Sequence, residues 1–600
     1  MPVPARLYDE AYIPGTIDNI FADRIDEEHS EGKSHLKTKN GIILFPQPSD
    51  SPNDPLNWSP LTKYWQLAVL AFITGFTAAT SNDAGAAQDS LNEIYGITYD
   101  AMNTGAGVLF IGIGYSCLVL APSSFLYGRK INYMICILLG LIGAAWFGAA
   151  KRTSDTIWSQ LFVGISESCA EAQVQLSLSD LFYSHQLGHV LTVYILATSV
   201  GTYLGPLIAG FIVDRTTFRW VGWCAVIISG GLLIVMLFTL YETSFDREKY
   251  IGKIDAINVY SNDSTNSSNH EDSKLKDDKE RTNNKENDAV ISTNEFSGEN
   301  EVHHRNGFTR DSDDELAAAP TGVSAHPIFS PQMVEGTGAD EEEKSYWKKI
   351  QLITLADNIK GTGFKQYIKR LFGMLRVFWF PPVILSGLVW GAQDAFLTFY
   401  LTTEDDDYYD PPWNYSDIGV SLMNVPCVIG AVIGCLYAGI FSDYFVLWMA
   451  KRNGGKQEAE YRLWFLFAAA IFSPAGMLMF GIGTDKEAPW QLMYVGLGFI
   501  GFGWGCSGDI AMSYLMDAYP DMVLEGMVGV AVINNTIGCA FTFGCSPWLD
   551  AMGNQNTYII LAVIDFVVCM GALPMIIWGK RCRIWTKQSY IKFLELRDNF

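Results

Sequence analysis

Acidic residues within or at the ends of four long apolar stretches are the residues of this sequence best placed to do chemistry. They are Asp83, Glu167, Glu171, Asp394 and Asp509. An ionised side chain at bilayer depth costs roughly 3 kcal/mol on insertion scales, so such groups persist mainly where they face a water-filled cavity or bind a cation. Counted along the chain, they fall on predicted spans 1, 4, 7 and 10. This pattern predicts a polar path for positively charged organic solutes.

The two glutamates share one face of predicted span 4 with other polar residues. Gln160, Gly164, Glu167, Glu171 and Gln175 recur at intervals of three or four residues, which places them on one side of a helix. Two glutamates one turn apart repel each other when both are ionised, so one of them is expected to be protonated while no cation is bound. The pair is therefore a candidate proton-coupling element. The alternative is a structural glutamic acid that is hydrogen-bonded between helices.

Indole rings accompany the acids of the second half of the chain. Trp390 precedes Asp394 by one turn, and a run of small residues leads into Asp509. A carboxylate beside an indole holds an ammonium group by charge and by cation–π attraction, the latter worth up to ~2 kcal/mol when desolvated. Simple packing is the alternative for the rings, and a water-exposed helix end is the alternative for Asp83. The predicted substrate-binding set is Asp83, Glu167, Glu171, Gln175, Trp390, Asp394, Trp504 and Asp509.

The elements that must position these residues are membrane-spanning helices. Of the 600 residues, 49% are hydrophobic and only 18% are charged, and an apolar stretch of about 20 residues is long enough to cross a bilayer. The sequence predicts twelve such stretches: residues 65–87, 104–125, 131–150, 156–182, 190–213, 220–241, 377–402, 416–445, 461–483, 490–517, 523–547 and 556–579. The predicted fold class is an all-α polytopic membrane protein made of two six-helix halves.

A hydrophilic segment separates the two halves and holds nearly half of the chain's net charge of −23. Residues 243–345 contain too few apolar residues to fold alone and are predicted to be disordered. Residues 359–376 alternate basic and apolar residues at helical spacing and predict a membrane-surface helix; the alternative is a plain extension of span 7. The predicted domains are an N-terminal tail (1–64), a first bundle (65–241), a linker (242–376), a second bundle (377–579) and a C-terminal tail (580–600).

Basic residues in short loops predict the orientation. Arg129-Lys130, Lys451-Arg452 and residues 580–583 fall on one side of the predicted bundle, and an excess of Lys and Arg marks the cytoplasmic side. Twelve spans put both termini on that side, so both are predicted to be cytoplasmic. The eleven cysteines stand mostly singly within apolar stretches, without the spacings typical of zinc sites or disulfides. No metal or cofactor is predicted.

Several motifs resemble one family of transport proteins. The lead-in Asp54–Ser59 and the turn Ala121–Lys130 resemble signatures of the major facilitator superfamily, and Gly201–Gly210 resembles the Gly/Pro signature of its drug:proton antiporter branch. The segments Thr77–Asp89 and Gly164–Ala172 resemble the fungal polyamine and histidinol permeases of that superfamily. The resemblance covers essentially all of the predicted spans.

The resemblance implies proton-driven uptake of spermidine, spermine and putrescine across the plasma membrane, with a substrate site between two rocking halves. Its implied partners are a polyamine or other organic cation, protons and the lipid bilayer, with no nucleic acid, and we expect a monomer. The sequence contains no ATP-binding loop, haem ligand set or nucleophile arrangement, so an enzyme is not predicted. Two alternatives stay open: a proton antiporter that exports cationic drugs, and a nutrient sensor without net transport.

The sequence departs from the family pattern at two positions. Phe125 stands where the branch usually has an acid, which puts the charge pair of that loop in doubt, whereas Asp443 occupies the corresponding place in the second half. Gln160 stands where span 4 usually carries an arginine, which would repel a polycation. The residues that the resemblance implies for gating are Gly128, Arg129, Gly205, Pro206 and Asp443.

Two further features are predicted on the outer face. The run Glu404–Asp410 is acidic and is expected to be a solvated loop, where it could raise the local cation concentration. Asn414 begins an acceptor sequon, Asn414-Tyr415-Ser416, and is a glycosylation candidate.

Overall fold

The computed structural model describes residues 12–17, 38–39, 42–44, 46, 48–246, 341–356, 359–409 and 411–598. Within these residues the chain forms the predicted twelve spanning helices, which we number spans 1 to 12. They are Pro60–Asn82, Tyr99–Leu126, Lys130–Gly148, Thr153–Leu181, Ser184–Arg215, Arg219–Thr239, Pro381–Asp407, Asn424–Leu436 continued to Ser442–Arg452 through a π-turn at Tyr437–Phe441, Leu466–Asp485, Trp490–Ala518 and the two parts of Val523–Met570, which is broken at Gly553. Spans 1–6 and 7–12 form the two halves, and the predicted fold class is confirmed.

Shorter elements connect the spans. The α-helices among them are Gln88–Tyr95, Tyr346–Lys349, Phe364–Met374 (the linker helix), Asp417–Ser421 and Ala572–Asp598 (the C-terminal helix). Short 3-10 turns lie at Pro55–Asn57, Gly85–Ala87, Leu375–Trp379, Ala459–Phe465 and Pro520–Met522. The strand Thr16–Ile17 pairs antiparallel with Gln457–Glu458, and Thr38–Lys39 pairs with Ile42–Ile43.

Both ends of the described chain lie at one face of the bundle, which we call the termini face. The buried guanidinium of Arg583 in the C-terminal helix donates to Thr16 Oγ1 (3.2 Å) and to the carboxylates of Glu458 (2.8 Å) and Glu460 (2.6 Å). Burial alone would raise the pKa of Glu458, but hydrogen bonds from Lys580, Thr16 and Arg583 stabilise its charged form and lower the pKa below its usual value. The N-terminal strand is thereby fastened to the second half.

The spans that carry the acids are the least apolar ones. Eight stretches of the described residues are long and apolar enough to cross a membrane, and one of them, Pro520–Arg597, contains both span 11 and span 12. Spans 1, 4 and 10 are not among the eight, and span 7 has the lowest mean hydropathy of those that are. These four helices contain fewer apolar residues because part of each faces other helices or a polar interior rather than lipid.

Glycines allow spans 1 and 5 to approach closely. A Cβ atom at Gly201 would lie 2.1 Å from the carbonyl oxygen of Gly75, and one at Gly205 would lie 2.3 Å from that of Ala79. Small residues at such crossings let helix backbones touch in a membrane. The motif Gly201–Gly210, with Pro206 inside span 5, therefore has a packing role in this structure. Between the halves, the largest contact surfaces join span 2 to span 11 and span 5 to span 8.

The structure corrects two predictions, the end of span 1 and the start of the outer acidic run, and it separates the linker helix from span 7 as the sequence predicts. Span 1 ends at Asn82 rather than at residue 87, so Asp83 caps the helix end and is half-buried. The linker helix is separate from span 7, because Phe380 is extended and two prolines begin the new helix at Pro381. The outer acidic run is not a loop at its start: span 7 continues to Asp407, and Glu404 is buried, with 3% of its surface exposed.

Most of the predicted disordered linker lies outside the described residues. Its described ends make contacts: the Glu242 carboxylate accepts hydrogen bonds from the backbone of Arg129 (2.9 Å) and Lys130 (3.1 Å). Glu341 accepts one from the Ser51 hydroxyl (2.6 Å). The two ends are therefore held at the termini face.

Candidate functional site

Three carboxylates from opposite halves meet near the middle of the bundle. Glu167 and Glu171 project from span 4, and Asp394 projects from span 7, each about midway along its helix or one turn beyond. Glu171 is close enough to Glu167 and to Asp394 for direct charge–charge interaction, and Asp394 also interacts with Glu167. We call these three residues the acidic cluster. The structure thus brings together the span 4 pair and the span 7 acid, as the sequence predicts.

The acidic cluster has no basic counterpart within the described residues. None of its three carboxylates forms an ion pair with a lysine, arginine or histidine there. Glu171 and Asp394 keep some accessible surface although they lie deep in their spans and face each other across the halves. Three carboxylates at this depth repel one another when ionised. Protons or a bound cation must therefore offset the charge.

Two tryptophans form one wall of the cluster. Trp504 of span 10 donates a hydrogen bond from Nε1 to Asp394 Oδ1 (3.2 Å). Its ring centroid lies 4.5 Å from that of Trp390 and 6.1 Å from that of Tyr203 in span 5. All three rings are almost completely buried. The carboxylate and the indoles are therefore arranged as an ammonium-binding group requires, by charge and by ring faces.

Several buried polar atoms around the cluster lack a hydrogen-bond partner in the structure. They are Glu171 Oε2, the Tyr203 hydroxyl and Trp390 Nε1, together with Ser81 Oγ and the Asn534 amide, which lie beside Glu167 and Asp394 without a bond of full geometry. A buried polar group without a partner costs about 1–3 kcal/mol. Unpartnered groups that converge from spans 1, 4, 5, 7 and 11 indicate a place where water or a ligand completes the hydrogen bonds.

Asp509 lies apart from the acidic cluster. It is fully buried and accepts hydrogen bonds from the hydroxyls of Thr192 (3.1 Å) and Ser513 (3.1 Å). It is five residues beyond Trp504 on span 10, or about 7.5 Å nearer the termini face at 1.5 Å per residue. The charges that act on it are those of Arg462 and Asp443 rather than those of Glu171 or Asp394. Gln175 is also on that side, with its Nε2 against Met512 Sδ (3.7 Å).

Arginine–aspartate ion pairs lie at the termini face of each half. In the second half the buried Arg462 bridges Asp443 (2.7 Å) and Asp517 (2.5 Å). In the first half Arg129 forms an ion pair with Asp180. Asp180 and Asp517 close the equivalent spans 4 and 10, so the two halves repeat one arrangement. Asp443 therefore does hold a charge pair.

The first half has Phe125 at the position where the family usually has an acid, and this ring makes a different contact. Phe125 lies under the guanidinium of Arg370 from the linker helix, 5.3 Å from ring centroid to Cζ. Gly128 adopts a positive φ of 94°, and a Cβ atom there would lie 2.7 Å from the Glu242 carboxylate. A glycine is favoured at this turn for both reasons.

Contacts between the halves exist on both sides of the acidic cluster. At the termini face Thr192 of span 5 bonds to Asp509, and His189 Nδ1 lies 3.5 Å from Asp443 Oδ2. At the opposite face the amide of Asn103 donates to the hydroxyl of Ser546 (2.8 Å). The cluster is therefore bounded above and below by pairs that join the two halves.

Some residues around the cluster were missed in the sequence. Ser81, Tyr203 and Asn534 lie beside it, and Glu404 is a further buried acid. Asn534 and its neighbour Asn535 interrupt an apolar span, which was a usable signal. Tyr203 gave none, because a tyrosine in a span usually packs or anchors at the interface. Asn414 is exposed on the opposite face with a φ of 47°, and it remains a glycosylation candidate.

Comparisons with known proteins agree with this architecture. The family profile described as Major Facilitator Superfamily matches residues 67–543. Protein HOL1 of Saccharomyces cerevisiae is 59% identical over 590 residues, which is 98% of each chain. The uncharacterized MFS-type transporter C1271.10c of Schizosaccharomyces pombe is 48% identical over 98% of this chain and 95% of its own. The proton:xylose symporter XylE has a similar fold, with a TM-score of 0.52 and 13% identity over 86% of this chain and 96% of its own.

Proposed function

We propose that this chain takes up linear polyamines together with protons. It belongs to the major facilitator superfamily and is therefore a membrane-embedded secondary transporter rather than an enzyme. The substrates would be spermidine, spermine, putrescine and related organic cations. The site would be the acidic cluster of Glu167, Glu171 and Asp394 with the indoles of Trp390 and Trp504.

One observation carries the proposal: carboxylates from both halves meet deep in the bundle without a basic counterpart in the described residues. A substrate with one ammonium group would neutralise one of them. A polyamine has several ammonium groups on a flexible chain, so it can bind carboxylates of both halves at once. Substrate binding would then draw the halves together, which is the step that alternating access requires.

The span 4 pair supports proton coupling. Glu167 lies beside Ser81 of span 1, and Glu171 interacts by charge with both Glu167 and Asp394. Binding of a proton to one member relieves repulsion in the absence of substrate, and an arriving ammonium group would displace it. Glu171 is the better candidate for the exchanged proton because its buried Oε2 has no hydrogen-bond partner, whereas Trp504 donates to Asp394 and Ser81 lies beside Glu167.

The proposed location is the plasma membrane with both termini cytoplasmic. The basic loop residues Arg129, Lys130, Lys451 and Arg452 support this orientation, since they flank spans at the termini face. Inward transport of a cation from the outside would then begin at the face that carries Glu404 and Asn414.

Labelled spermidine uptake into cells that lack their own polyamine permease tests the proposal. Cells expressing the chain should accumulate spermidine above vector controls, and more strongly when the external medium is acidic. Expression at the surface is measured in parallel, and a labelled monoamine serves as the matched substrate. Reduced accumulation would favour export of cationic compounds, as in a drug antiporter. Binding without flux in either direction would favour a nutrient sensor.

A further inference from the structure

A second buried carboxylate lies toward the opposite face from the termini. Glu404 belongs to span 7, and 3% of its surface is exposed. One carboxylate oxygen accepts a hydrogen bond from Asn424 Nδ2 of span 8 (3.0 Å). The other oxygen, Oε2, is buried and has no hydrogen-bond partner. The described residues offer this carboxylate no ion pair. The Tyr400 hydroxyl lies near enough to interact with it but donates to Asn424, so the second oxygen can still accept a further donor.

The surroundings of Glu404 are aromatic. The hydroxyl of Tyr400, one turn earlier, donates to Asn424 Oδ1 (3.2 Å), and the Tyr400 ring lies 5.6 Å from that of Phe480. Tyr203 of the first half is fully buried, and its hydroxyl also lacks a partner. An anionic oxygen among aromatic rings suits an alkylammonium group, which is bound by charge and by ring faces. An anionic ligand would be repelled, and a neutral donor would gain a hydrogen bond but no charge attraction.

Tyr203 connects this region to the acidic cluster. Its hydroxyl interacts electrostatically with both Asp394 and Glu404, and its ring packs on Trp504. Asp394 and Glu404 are ten residues apart on one helix, which corresponds to about 15 Å at 1.5 Å per residue. The two carboxylates thus lie about three turns apart along span 7, and Tyr203 interacts with both of them.

The separation can be compared with the length of linear polyamines. With single bonds of about 1.5 Å in staggered conformations, the terminal nitrogens lie about 16 Å apart in extended spermine, about 11 Å in spermidine and about 6 Å in putrescine. Spermine therefore spans the distance from Asp394 to Glu404. Spermidine reaches most of it, and putrescine remains at one end.

We propose that Glu404, with Asn424, Tyr400 and Tyr203, forms a second ammonium-binding site that receives the far end of a long polyamine held at the acidic cluster. The inference rests on the proposed function, because it assumes that the cluster binds one end. The site would give the transporter a preference for substrate length. Putrescine would bind at the cluster alone, and spermine would bind at both sites.

The test is equilibrium binding of spermine, spermidine and putrescine to the purified full-length protein and to Glu404→Gln. Glutamine can keep the bond from Asn424 through its carbonyl oxygen while removing the charge. Loss of one charge-assisted contact should weaken spermine binding about 10- to 100-fold, with a smaller loss for spermidine and less than about a twofold change for putrescine. Asp485→Asn, an exposed acid at the same face, is the matched control and should leave all three affinities unchanged.

Two other outcomes would overturn the inference. Equal weakening of all three ligands would make Glu404 a general attractor of cations, and no change would make it structural. If Glu404→Gln does not purify as a folded protein, Tyr203→Phe decides, because it removes only an unpartnered hydroxyl and should also weaken spermine more than putrescine. If the parent protein binds none of the three polyamines, the proposed function fails as well. If Glu404→Gln loses the same affinity for polyamines of every length, only the second site is ruled out.

Discussion

Replacing Asp394 with asparagine tests the acidic cluster directly. Asp394 accepts a hydrogen bond from Trp504 Nε1 (3.2 Å), has the Asn534 amide beside it, and lies near Glu167 of the other half. Asparagine has nearly the same size and can accept the same bond, so the change removes a charge and little else. A charge-assisted hydrogen bond contributes about 1.5–3 kcal/mol. We therefore expect the affinity for spermidine to fall about 10- to 150-fold.

Asp509→Asn provides the matched comparison in the same half. Its carboxylate already accepts bonds from Thr192 and Ser513 and lies in the field of Arg462. Although about 7.5 Å along span 10 is within the reach of a polyamine, an ammonium group would gain little at a carboxylate that these partners already satisfy. We expect spermidine affinity to change by less than about threefold, which is under 1 kcal/mol. The transport rate should change instead, since Thr192 and Asp509 belong to different halves.

The assay is binding of labelled spermidine to each purified variant, with competition by spermidine and by a simple monoamine. Asp485→Asn controls for the loss of one negative charge from the protein. If folded Asp394→Asn protein binds spermidine as tightly as the parent, the acid is structural. The hypothesis that a polyamine binds carboxylates of both halves at once would then be wrong. Equal losses at Asp394 and Asp509 would place both in the substrate site, as the sequence alone predicts.

Three further predictions concern coupling, the linker and packing. Glu171→Gln should abolish the accumulation of polyamine driven by a pH gradient but keep some downhill exchange, because an amide mimics the protonated acid. Uptake and counterflow assays measure the two activities, and unchanged accumulation would show that Glu171 does not couple transport to protons. Deletion of residues 262–335 should leave uptake near normal at matched surface expression, because their composition lacks the apolar residues of a folded domain. Lost uptake would indicate a gating role. Gly201→Ala should destabilise the purified protein by about 1–3 kcal/mol, because the new Cβ atom would clash with the Gly75 carbonyl oxygen. The control is Gly231→Ala, whose Cβ atom would meet nothing within 4 Å and should leave the midpoint of unfolding unchanged.

The sequence was sufficient to predict the spans and most of the central acids, and the reason is physical. Glu167, Glu171 and Asp394 are expensive in a bilayer, so each is visible as an exception within an apolar helix. Helical periodicity then placed the two glutamates on one face. The approach of span 4 to span 7 could not be deduced in this way, because it depends on how two halves far apart in the chain pack together.

Other parts of the site gave weaker or misleading signals. Glu404 looked like the start of a solvated acidic run, and only the continuation of span 7 shows that it is buried. Asp509 looked equivalent to Asp394, but the hydroxyls that satisfy it come from span 5 and from its own helix. Asp83 looked like part of span 1 because composition does not fix helix ends to within a few residues. In each case the missing information was a tertiary neighbour.

The repeat between the halves explains why the site needs both of them. Asp180 and Asp517 close spans 4 and 10, and counting back thirteen residues from each places Glu167 and Trp504 at equivalent positions. Counting back nine places Glu171 opposite Gly508.

A Cβ atom at Gly508 would lie 2.1 Å from the ring of Trp390. In the second half, then, the missing side chain leaves room for an indole where the first half has a carboxylate. Span 4 contributes charge and span 10 contributes aromatic surface, while Asp394 supplies the acid of the second half from span 7. An ammonium group that interacts with the carboxylates of one half and the rings of the other is fully bound only when the halves approach. The same division of roles would make polyamine binding favour the closed arrangement of the bundle.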